Sequence, residues 1–396
     1  MKDEYKGFKK TISKYPLSHQ RKILSSLDDM VKKTYKTDIQ KDLEKISSGP
    51  RLVTHIDTDG IVSAVMMCYV NPKKYKEIIF SDYKPINAGK LILLETDDVV
   101  DLPQPRNPIY NKGEPAKHEG KVIFEDARVN FWADHHETGL FEGGYLGNHI
   151  YDASSPSCAS LLYNHLLPDF PRIKRFQKLV EGTDIVDAAR YTTPEAPYDM
   201  KNHAVVLRLM LIARSQRKLK LGFREELIRD CADHKKKWQD VINQPIVNAL
   251  AKESITEMKK YREYITPMIT NEHGVIMKVE EKRRPKGNGL KDRYYPNTLY
   301  PESLFFFDVQ PAYGAKDCYM ITMTENNLAK DKKGNHPSEI ILGEEMKTII
   351  KELTDSEDAG GHKGIGICTA VPKDNKDDVI KICKELLFKE TKRLGC

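Results

Sequence analysis

Residues 51–63, RLVTHIDTDGIVS, constrain the fold most, because a β-prone run ends in acids and turns on a glycine into a helix-like run. In an open α/β sheet, ligands bind beyond the carboxyl ends of the strands. The alternation of an extended chain places His55, Asp57 and Asp59 on one side of this segment. Oxygen and nitrogen donors on one side are typical of a site for a hard metal ion. The alternative is an acidic turn that caps the following helix.

Further short β-prone runs follow in the first half of the chain, and most of them end in an acid. They cover residues 77–81, 91–94, 99–100, 121–124 and 129–133, and Asp82, Asp101 and Asp134 follow three of them. Helix-like runs alternate with these segments, as at 157–167. Such alternation predicts an α/β fold with an N-terminal, doubly wound and mainly parallel sheet, whose acids collect at one edge.

The pattern changes once before this sheet and twice after it, which predicts four segments. Residues 201–266 carry apolar side chains at helical spacing, interrupted at Gly222 and Pro245. From Gly274 onward β-prone runs return and alternate with helices. The predicted segments are an N-terminal helical extension (1–49), a first α/β domain (50–200), a helical connector (201–270) and a smaller C-terminal α/β domain with a mixed sheet (271–396).

Composition excludes several classes of protein. No apolar run in the 396 residues approaches the length needed to span a bilayer, and the N-terminus MKDEYKGFKK lacks a signal-peptide core. The seven cysteines are scattered without a CxxC pair, which favours free thiols in a reducing cytoplasm over disulfides or a zinc site. We therefore predict a cytoplasmic chain without a membrane partner. The net charge of +6 is compatible with an anionic substrate.

Taken together, the acids and histidines at the ends of predicted elements indicate metal chemistry. They are His55, Asp57, Asp59, Asp101, Asp134, His135, His136, and Asp184 or Asp187. A set of carboxylates with some imidazole suits a pair of Mn²⁺ or Mg²⁺ ions better than zinc. Two ions bridged by a carboxylate are suited to in-line attack on phosphorus. The set therefore predicts a metal-dependent phosphoesterase.

Five motifs resemble the DHH phosphoesterase family with its DHH-associated C-terminal domain. They are HIDTDG at 55–60, VVDLP at 99–103, ADHHET at 133–138, GTDIVDAARY at 182–191 and AGGHKGIG at 359–366. They stand in that family's order and cover residues 50–195 and 270–395. The resemblance implies that 50–200 is a catalytic domain and that 271–396 binds substrate.

The resemblance also implies a role for each site residue. His55 and Asp57 would bind one metal ion, Asp59 and His135 the other, and Asp101 would bridge them. Asp134 would orient the DHH element, and His136 would meet the scissile phosphate. Asp184 and Asp187 both fit the last acidic motif, and the DAARY context favours Asp187. Mn²⁺ is the preferred cofactor and Mg²⁺ the alternative.

Substrate contacts are expected in the C-terminal part of the chain. The resemblance implies that Gly360, Gly361 and His362 hold substrate, although Ala359 stands where the family often has a third glycine. The basic run KRRPKGNGLKDR at 282–293 adds Arg283 and Arg284 as candidate phosphate contacts. The alternative for this run is a solvated loop.

The expected reaction is hydrolysis of phosphodiester bonds in short oligonucleotides, as in nanoRNases, with release of nucleoside monophosphates and with dephosphorylation of pAp as a candidate second activity. The alternatives are a RecJ-like single-strand exonuclease, a cyclic-dinucleotide phosphodiesterase, a polyphosphate or pyrophosphate hydrolase, and an inactive DHH binding module. The partner is a short RNA or nucleotide, and a homodimer is left open.

Overall fold

A computed structural model describes residues 49–82, 93, 96–103, 109–110, 123–124, 129–136, 147–219, 222–285, 287–312, 315–329, 336–354, 359–362 and 364–395. The predicted N-terminal helical extension, apart from its last residue, lies outside these residues, as does most of the predicted run at 91–94. Among the described residues, no helix combines the length and hydrophobicity that crossing a membrane requires.

The strands agree with most of the β-prone runs. They are β1 (Arg51–His55), β2 (Glu77–Ser81), β3 (Asp98–Val100), β4 (Ile109–Tyr110), β5 (Ile123–Phe124), β6 (Val129–Asp134), β7 (Gly147–Tyr151), β8 (Ile269–Glu272), β9 (Val275–Val279), β10 (Phe305–Pro311), β11 (Cys318–Glu325), β12 (Ala359–His362) and β13 (Ile365–Pro372).

The α-helices of the described chain follow the helical runs of the sequence. They are α1 (Thr58–Val70), α2 (Cys158–Leu166), α3 (Gln177–Asp187), α4 (His203–Ile212), α5 (Gly222–Ala232), α6 (Trp238–Ile242), α7 (Pro245–Ile265), α8 (Tyr295–Leu299), α9 (Leu342–Leu353) and α10 (Lys376–Arg393).

The chain forms two compact units. The first comprises the described residues of Met1–Asp187 and Arg217–Pro245, and the second those of Ala188–Gln216 and Ile246–Cys396. Residues 201–270, predicted as a connector, contribute α5 and α6 to the first unit and α4 and α7 to the second. The four-segment division of the sequence stays a prediction.

The first unit contains a five-stranded sheet in the order β2-β1-β3-β6-β7, and every neighbouring pair is parallel. Val53, Val99 and Trp132 of three adjacent strands form its buried core with Leu102. Helix α1 packs against β1 and against α2, α3 and α5. Parallel strands place all their carboxyl ends at one edge, so the acids that follow β1, β3 and β6 meet there.

Buried polar contacts fix the opposite, amino end of this sheet. The Arg51 guanidinium donates to both carboxylate oxygens of Asp97, at 2.8 and 2.5 Å. The neighbouring Asp98 accepts from Lys74 Nζ, from the Tyr75 hydroxyl and from Asn130 Nδ2. These contacts satisfy two carboxylates that are fully buried. They hold the starts of β1 and β3 in register.

The second unit contains a mixed sheet in the order β12-β13-β11-β10-β9-β8, in which β9 and β10 are the parallel pair. Phe305, Phe307 and Ile321 project from one face into a core shared with α9 and α10. On the other face, Ile276 and Phe306 pack against Tyr261 and Ile265 of α7. The predicted fold class, an α/β chain with a parallel sheet and a separate mixed sheet, is confirmed.

Candidate metal centre

The carboxyl ends of β1, β3 and β6 bring three of the acidic motifs together. His55 is the last residue of β1, Asp57 is the N-cap of α1, and its carboxylate accepts the Gly60 N–H at 3.1 Å. The capping alternative and the metal alternative for this turn are therefore compatible. Asp101 follows β3, and His135 and His136 follow β6. These side chains converge because the three strands are neighbours in a parallel sheet.

One group of metal-binding atoms consists of His55, Asp57 and Asp101, whose ligand atoms lie within 4.8 Å of one another. His55 Nδ1 lies 3.0 Å from Asp57 Oδ2 and 3.6 Å from Asp101 Oδ2. A second group consists of Asp59, His135 and Asp187, whose ligand atoms also lie within 4.8 Å of one another. His135 Nε2 lies 3.5 Å from Asp59 Oδ2 and 3.4 Å from Asp187 Oδ2.

Asp101 belongs to the first group, and its carboxylate also forms a close set with His135 and His136. Its Oδ2 approaches His55, and its Oδ1 lies 3.7 Å from His135 Nε2. A carboxylate that faces two donor groups with different oxygens has the arrangement expected of a bridging ligand. Its backbone is unusual as well, with a φ of 57°, in the left-handed region that non-glycine residues rarely adopt. The N–H of Asp101 donates to Ala133 O at 2.9 Å, which helps to hold this conformation.

Contacts behind the two histidines of the DHH motif orient their rings. His135 Nδ1 lies 3.1 Å from Ser155 O, and because a carbonyl only accepts, the ring donates through Nδ1 and leaves Nε2 as an electron-pair donor. His136 Nδ1 lies 2.7 Å from Asp134 Oδ1. Burial alone lowers the pKa of His136, but the hydrogen bond and charge of Asp134 outweigh it and raise the pKa to about 9.

Asp59 is held by a contact that the sequence did not reveal. Its two carboxylate oxygens accept the N–H groups of Cys158 and Ala159, each at 2.7 Å, at the first turn of α2. Unpaired N–H groups of a helix start attract a carboxylate. The only sequence signal was Ser157, which caps this helix. Asp59 is thereby fixed at the centre by residues about a hundred positions away.

Asp184 and Asp187, the alternatives for the last acidic motif, have different surroundings. Asp187 Oδ2 approaches His135 in the second donor group. The Asp184 carboxylate accepts from the hydroxyl groups of Ser157, at 2.5 Å, and Ser160, at 3.1 Å, in the first turn of α2. The structure therefore brings Asp187 into the centre and places Asp184 against a helix.

The charges of the centre fit divalent cations. Four carboxylates are crowded together, and burial with the charge of Asp57 raises the pKa of Asp59 to about 7. Burial with the charge of Asp59 raises the pKa of Asp187 to about 7 and the pKa of Asp101 well above its usual range. Burial also acts to raise the pKa of Asp57, but His55 outweighs it and holds that pKa at about 2.

Three buried atoms of the centre also make no hydrogen bond of good geometry with the described residues, namely His55 Nδ1, Asp101 Oδ2 and His135 Nε2, although His55 Nδ1 lies 3.0 Å from Asp57 Oδ2. Such atoms are costly to bury unless a ligand satisfies them. Two divalent cations would balance four carboxylates and would use these three atoms, so the residues fit the cofactor expected from the motifs.

The residues expected to bind substrate lie in the second unit. Gly360, Gly361 and His362 belong to β12, an edge strand paired antiparallel with β13. Only the backbone of these three residues is described. Arg283 Nη2 donates to the carbonyls of Ala312 and Ala315, and the Arg284 guanidinium lies over the Tyr261 ring.

Solved structures resemble this fold. A pGpG-specific phosphodiesterase, PggH from Vibrio cholerae, matches at a TM-score of 0.59 and 18% identity, over 86% of this chain and 99% of that one. An exonuclease RecJ bound to manganese matches at 0.45 and 13% identity, over 87% of this chain and 91% of that one. RecJ from Thermus thermophilus, in complex with Mn²⁺, matches at 0.46 and 13% identity, over 90% of this chain and 54% of that one.

The similarity to the two RecJ structures is too weak to support an inference. No protein-family model matches the sequence, and no curated protein does. The DHH phosphoesterase fold that the motifs predict is confirmed by the similarity to the phosphodiesterase.

Proposed function

We propose that this chain is a DHH-family, metal-dependent phosphodiesterase that hydrolyses short oligonucleotides and releases nucleoside monophosphates. The observation that carries the proposal is Asp101, whose two carboxylate oxygens face two separate donor groups. Each group supplies one imidazole and carboxylate oxygens, which suits Mn²⁺ or Mg²⁺. In an inactive binding module, four mutually repelling carboxylates in a buried cluster would destabilise the fold without serving catalysis.

His55, Asp57 and Asp101 would hold one ion, and Asp59, His135 and Asp187 the other, with Asp101 shared. When bound, such a pair of cations lowers the pKa of water and stabilises the negative charge that develops on a phosphoryl group. The chain's own residues would orient the reactants. Asp134 holds the His136 ring, and its hydrogen bond and charge raise the pKa of His136 to about 9 in the protein without metal, which favours the cationic form that binds phosphate most strongly.

The proposed substrate is short, a dinucleotide or a slightly longer oligonucleotide. The phosphodiesterase with the similar fold is named for pGpG, a dinucleotide, and the match spans nearly all of that chain. The RecJ-like, cyclic-dinucleotide and polyphosphate activities remain the alternatives. The assignment of Gly360, Gly361 and His362 to substrate binding remains a prediction.

The test uses the full chain stripped with EDTA and then supplied with Mn²⁺, Mg²⁺, Ca²⁺ or Zn²⁺. Turnover should return with Mn²⁺ and, more weakly, with Mg²⁺. Labelled dinucleotides, longer oligomers, pAp, cyclic dinucleotides and polyphosphate are then compared side by side. Rates on long strands that match or exceed the dinucleotide rate would exclude the short-substrate proposal. Mn²⁺ binding without turnover of any phosphate ester would exclude an enzyme.

A further inference from the structure

A cavity of about 150 Å³ lies within the second unit, where β9 and β10 end. These strands are parallel neighbours in a sheet whose other pairs are antiparallel. Glu280 follows β9, and Gln310 stands near the end of β10. The carboxyl ends of adjacent parallel strands are a common position for ligands in α/β folds. This cavity is built by residues that take no part in the metal centre.

Four residues of the loop after β9 form a wall of the cavity, and the described part of this loop is held by Arg214 and by α7. Arg214 Nη2 donates to Gly289 O at 2.6 Å, and the Leu290 N–H donates to Glu257 O at 3.1 Å. Gly289 has a φ of +76°, and a Cβ there would lie 2.0 Å from Glu257 O. Glycine is therefore required for this close approach. Gly289 and Leu290 thus anchor the C-terminal part of the basic run, whereas Arg283 and Lys291 are exposed to solvent.

Charged side chains of both strands contact two of the residues that line the cavity, Glu280 and Lys291. Lys278 is 1% exposed, and its Nζ lies 2.6 Å from Asp308 Oδ1 and 3.2 Å from Glu280 Oε2. Lys291 Nζ lies 3.1 Å from Asp308 Oδ2. Burial alone would raise the pKa of Asp308, but the two lysines outweigh it and lower that pKa. The two acids are thus already matched by two lysines.

The two arginines of the wall leave a surplus of positive charge. Neither Arg283 nor Arg284 has an ion pair with a carboxylate within the described part of the chain. A guanidinium has five N–H donors, and Arg283 uses only Nη2, on the carbonyls of Ala312 and Ala315 at 3.3 and 3.2 Å. Arg284 stacks its face on Tyr261, 4.9 Å from the ring centre, which leaves the donors at its edge available.

We propose that this cavity binds a phosphate group through Arg283, Arg284 and Lys291. Arginine forks and a lysine ammonium together are the donors that bind phosphate most strongly in proteins. The size agrees, because a volume of about 150 Å³ accepts a group as large as benzene and therefore has room for a phosphate. The phosphate belongs either to the terminus of the oligonucleotide, which rests on the proposed function, or to a free phosphate compound.

The site is tested by calorimetric titration of the full chain with inorganic phosphate and with adenosine 5′-monophosphate, in EDTA so that no metal contributes. Arg283→Gln and Lys291→Gln should each weaken binding about ten-fold or more, because each removes a charged hydrogen bond. Lys291→Arg keeps the charge and should retain most of the affinity. Adenosine, which lacks a phosphate, should not bind.

Lys282→Gln is the matched control, since it removes the same charge from the same loop at a residue that does not line the cavity. It should change affinity by less than about two-fold. An equal loss of phosphate affinity in Lys282→Gln would mean that only nonspecific electrostatic attraction is at work, and it would overturn the proposal. Absence of phosphate binding to the wild type would also overturn it. Thermal melting of each variant identifies any loss that comes from unfolding.

Two further measurements distinguish phosphate binding in this cavity from catalysis at the metal centre. Asp101→Asn should keep phosphate binding in EDTA, so failure of the metal-centre proposal leaves this result intact. The KM of Arg283→Gln is then compared for dinucleotides with and without a 5′-phosphate. A rise in KM that is confined to the phosphorylated dinucleotide identifies the 5′-phosphate of the substrate as the group that the cavity binds. Loss of phosphate binding with both KM values unchanged identifies a free phosphate compound.

Discussion

Asp187→Asn and Asp184→Asn make the same chemical change three residues apart on α3, and the structure predicts opposite results. In the folded protein, burial and the neighbouring Asp59 raise the pKa of Asp187 from 3.8 to about 7. The folded state therefore binds more protons than the unfolded state between these values, and this group's contribution to stability falls as pH rises through that window. Asparagine cannot ionise, so Asp187→Asn removes this loss of folding stability at high pH.

The size of the effect follows from the shift. About three pKa units correspond to about 4 kcal/mol at 1.36 kcal/mol per unit. Because 25% of the Asp187 side chain is exposed, solvent screening reduces our expectation to about 2 kcal/mol. Without metal, Asp187→Asn should melt about 4–8 °C above wild type near pH 8 and much closer to it near pH 5. With Mn²⁺ the wild type should melt at the higher temperature, because Asp187→Asn has lost a metal ligand and is stabilised less by the ion.

Asp184→Asn should behave differently in every condition. It weakens the hydrogen bonds from Ser157 and Ser160, so we expect it to destabilise the fold by about 1–2 kcal/mol, independently of Mn²⁺. The assay is thermal melting with EDTA or Mn²⁺ at the two pH values, together with the metal content of each protein. Loss of Mn²⁺ in Asp184→Asn but not in Asp187→Asn would refute the assignment. Equal destabilisation of Asp187→Asn at both pH values would refute the electrostatic reasoning.

Three further substitutions test other parts of the first unit. Asp101→Asn should lower kcat/KM about 10³-fold or more and reduce the bound metal, and substantial residual turnover would place the bridging acid elsewhere. Gly60→Ala should lower the free energy of unfolding by about 2–3 kcal/mol in urea, because its Cβ would lie 2.4 Å from His55 O; an unchanged midpoint would contradict this close approach. Arg51→Met should cost about 3–5 kcal/mol by leaving the buried Asp97 without its guanidinium, and adding Asp97→Leu should restore most of that, whereas an additive double variant would argue against the pair.

The sequence alone predicted the first sheet and most of the donor atoms of the centre. Both follow from local rules, because a β-prone run that ends in an acid shows where a strand stops. Parallel pairing then places His55, Asp101 and His135 at one edge. Most strands of the second sheet were predicted in the same way, from β-prone runs after residue 274, but β8 lies before that point and was not predicted.

Other features depend on contacts between distant parts of the chain. Asp184 and Asp187 both fit the last acidic motif, with the DAARY context in favour of Asp187, and only the fold places Asp184 against the serines at the start of α2 and Asp187 beside His135. The N–H groups that hold Asp59, and the left-handed backbone that lets Asp101 face both histidines, have no local signal.

The sequence left the basic run at 282–293 open as a phosphate contact or a solvated loop, because a local pattern cannot show that Arg214 and α7 hold Gly289 and Leu290. Local chemistry along the sequence thus determined which atoms were available to bind metal and phosphate. Only tertiary packing decided which of them face one another, since that depends on distances between residues far apart in the chain.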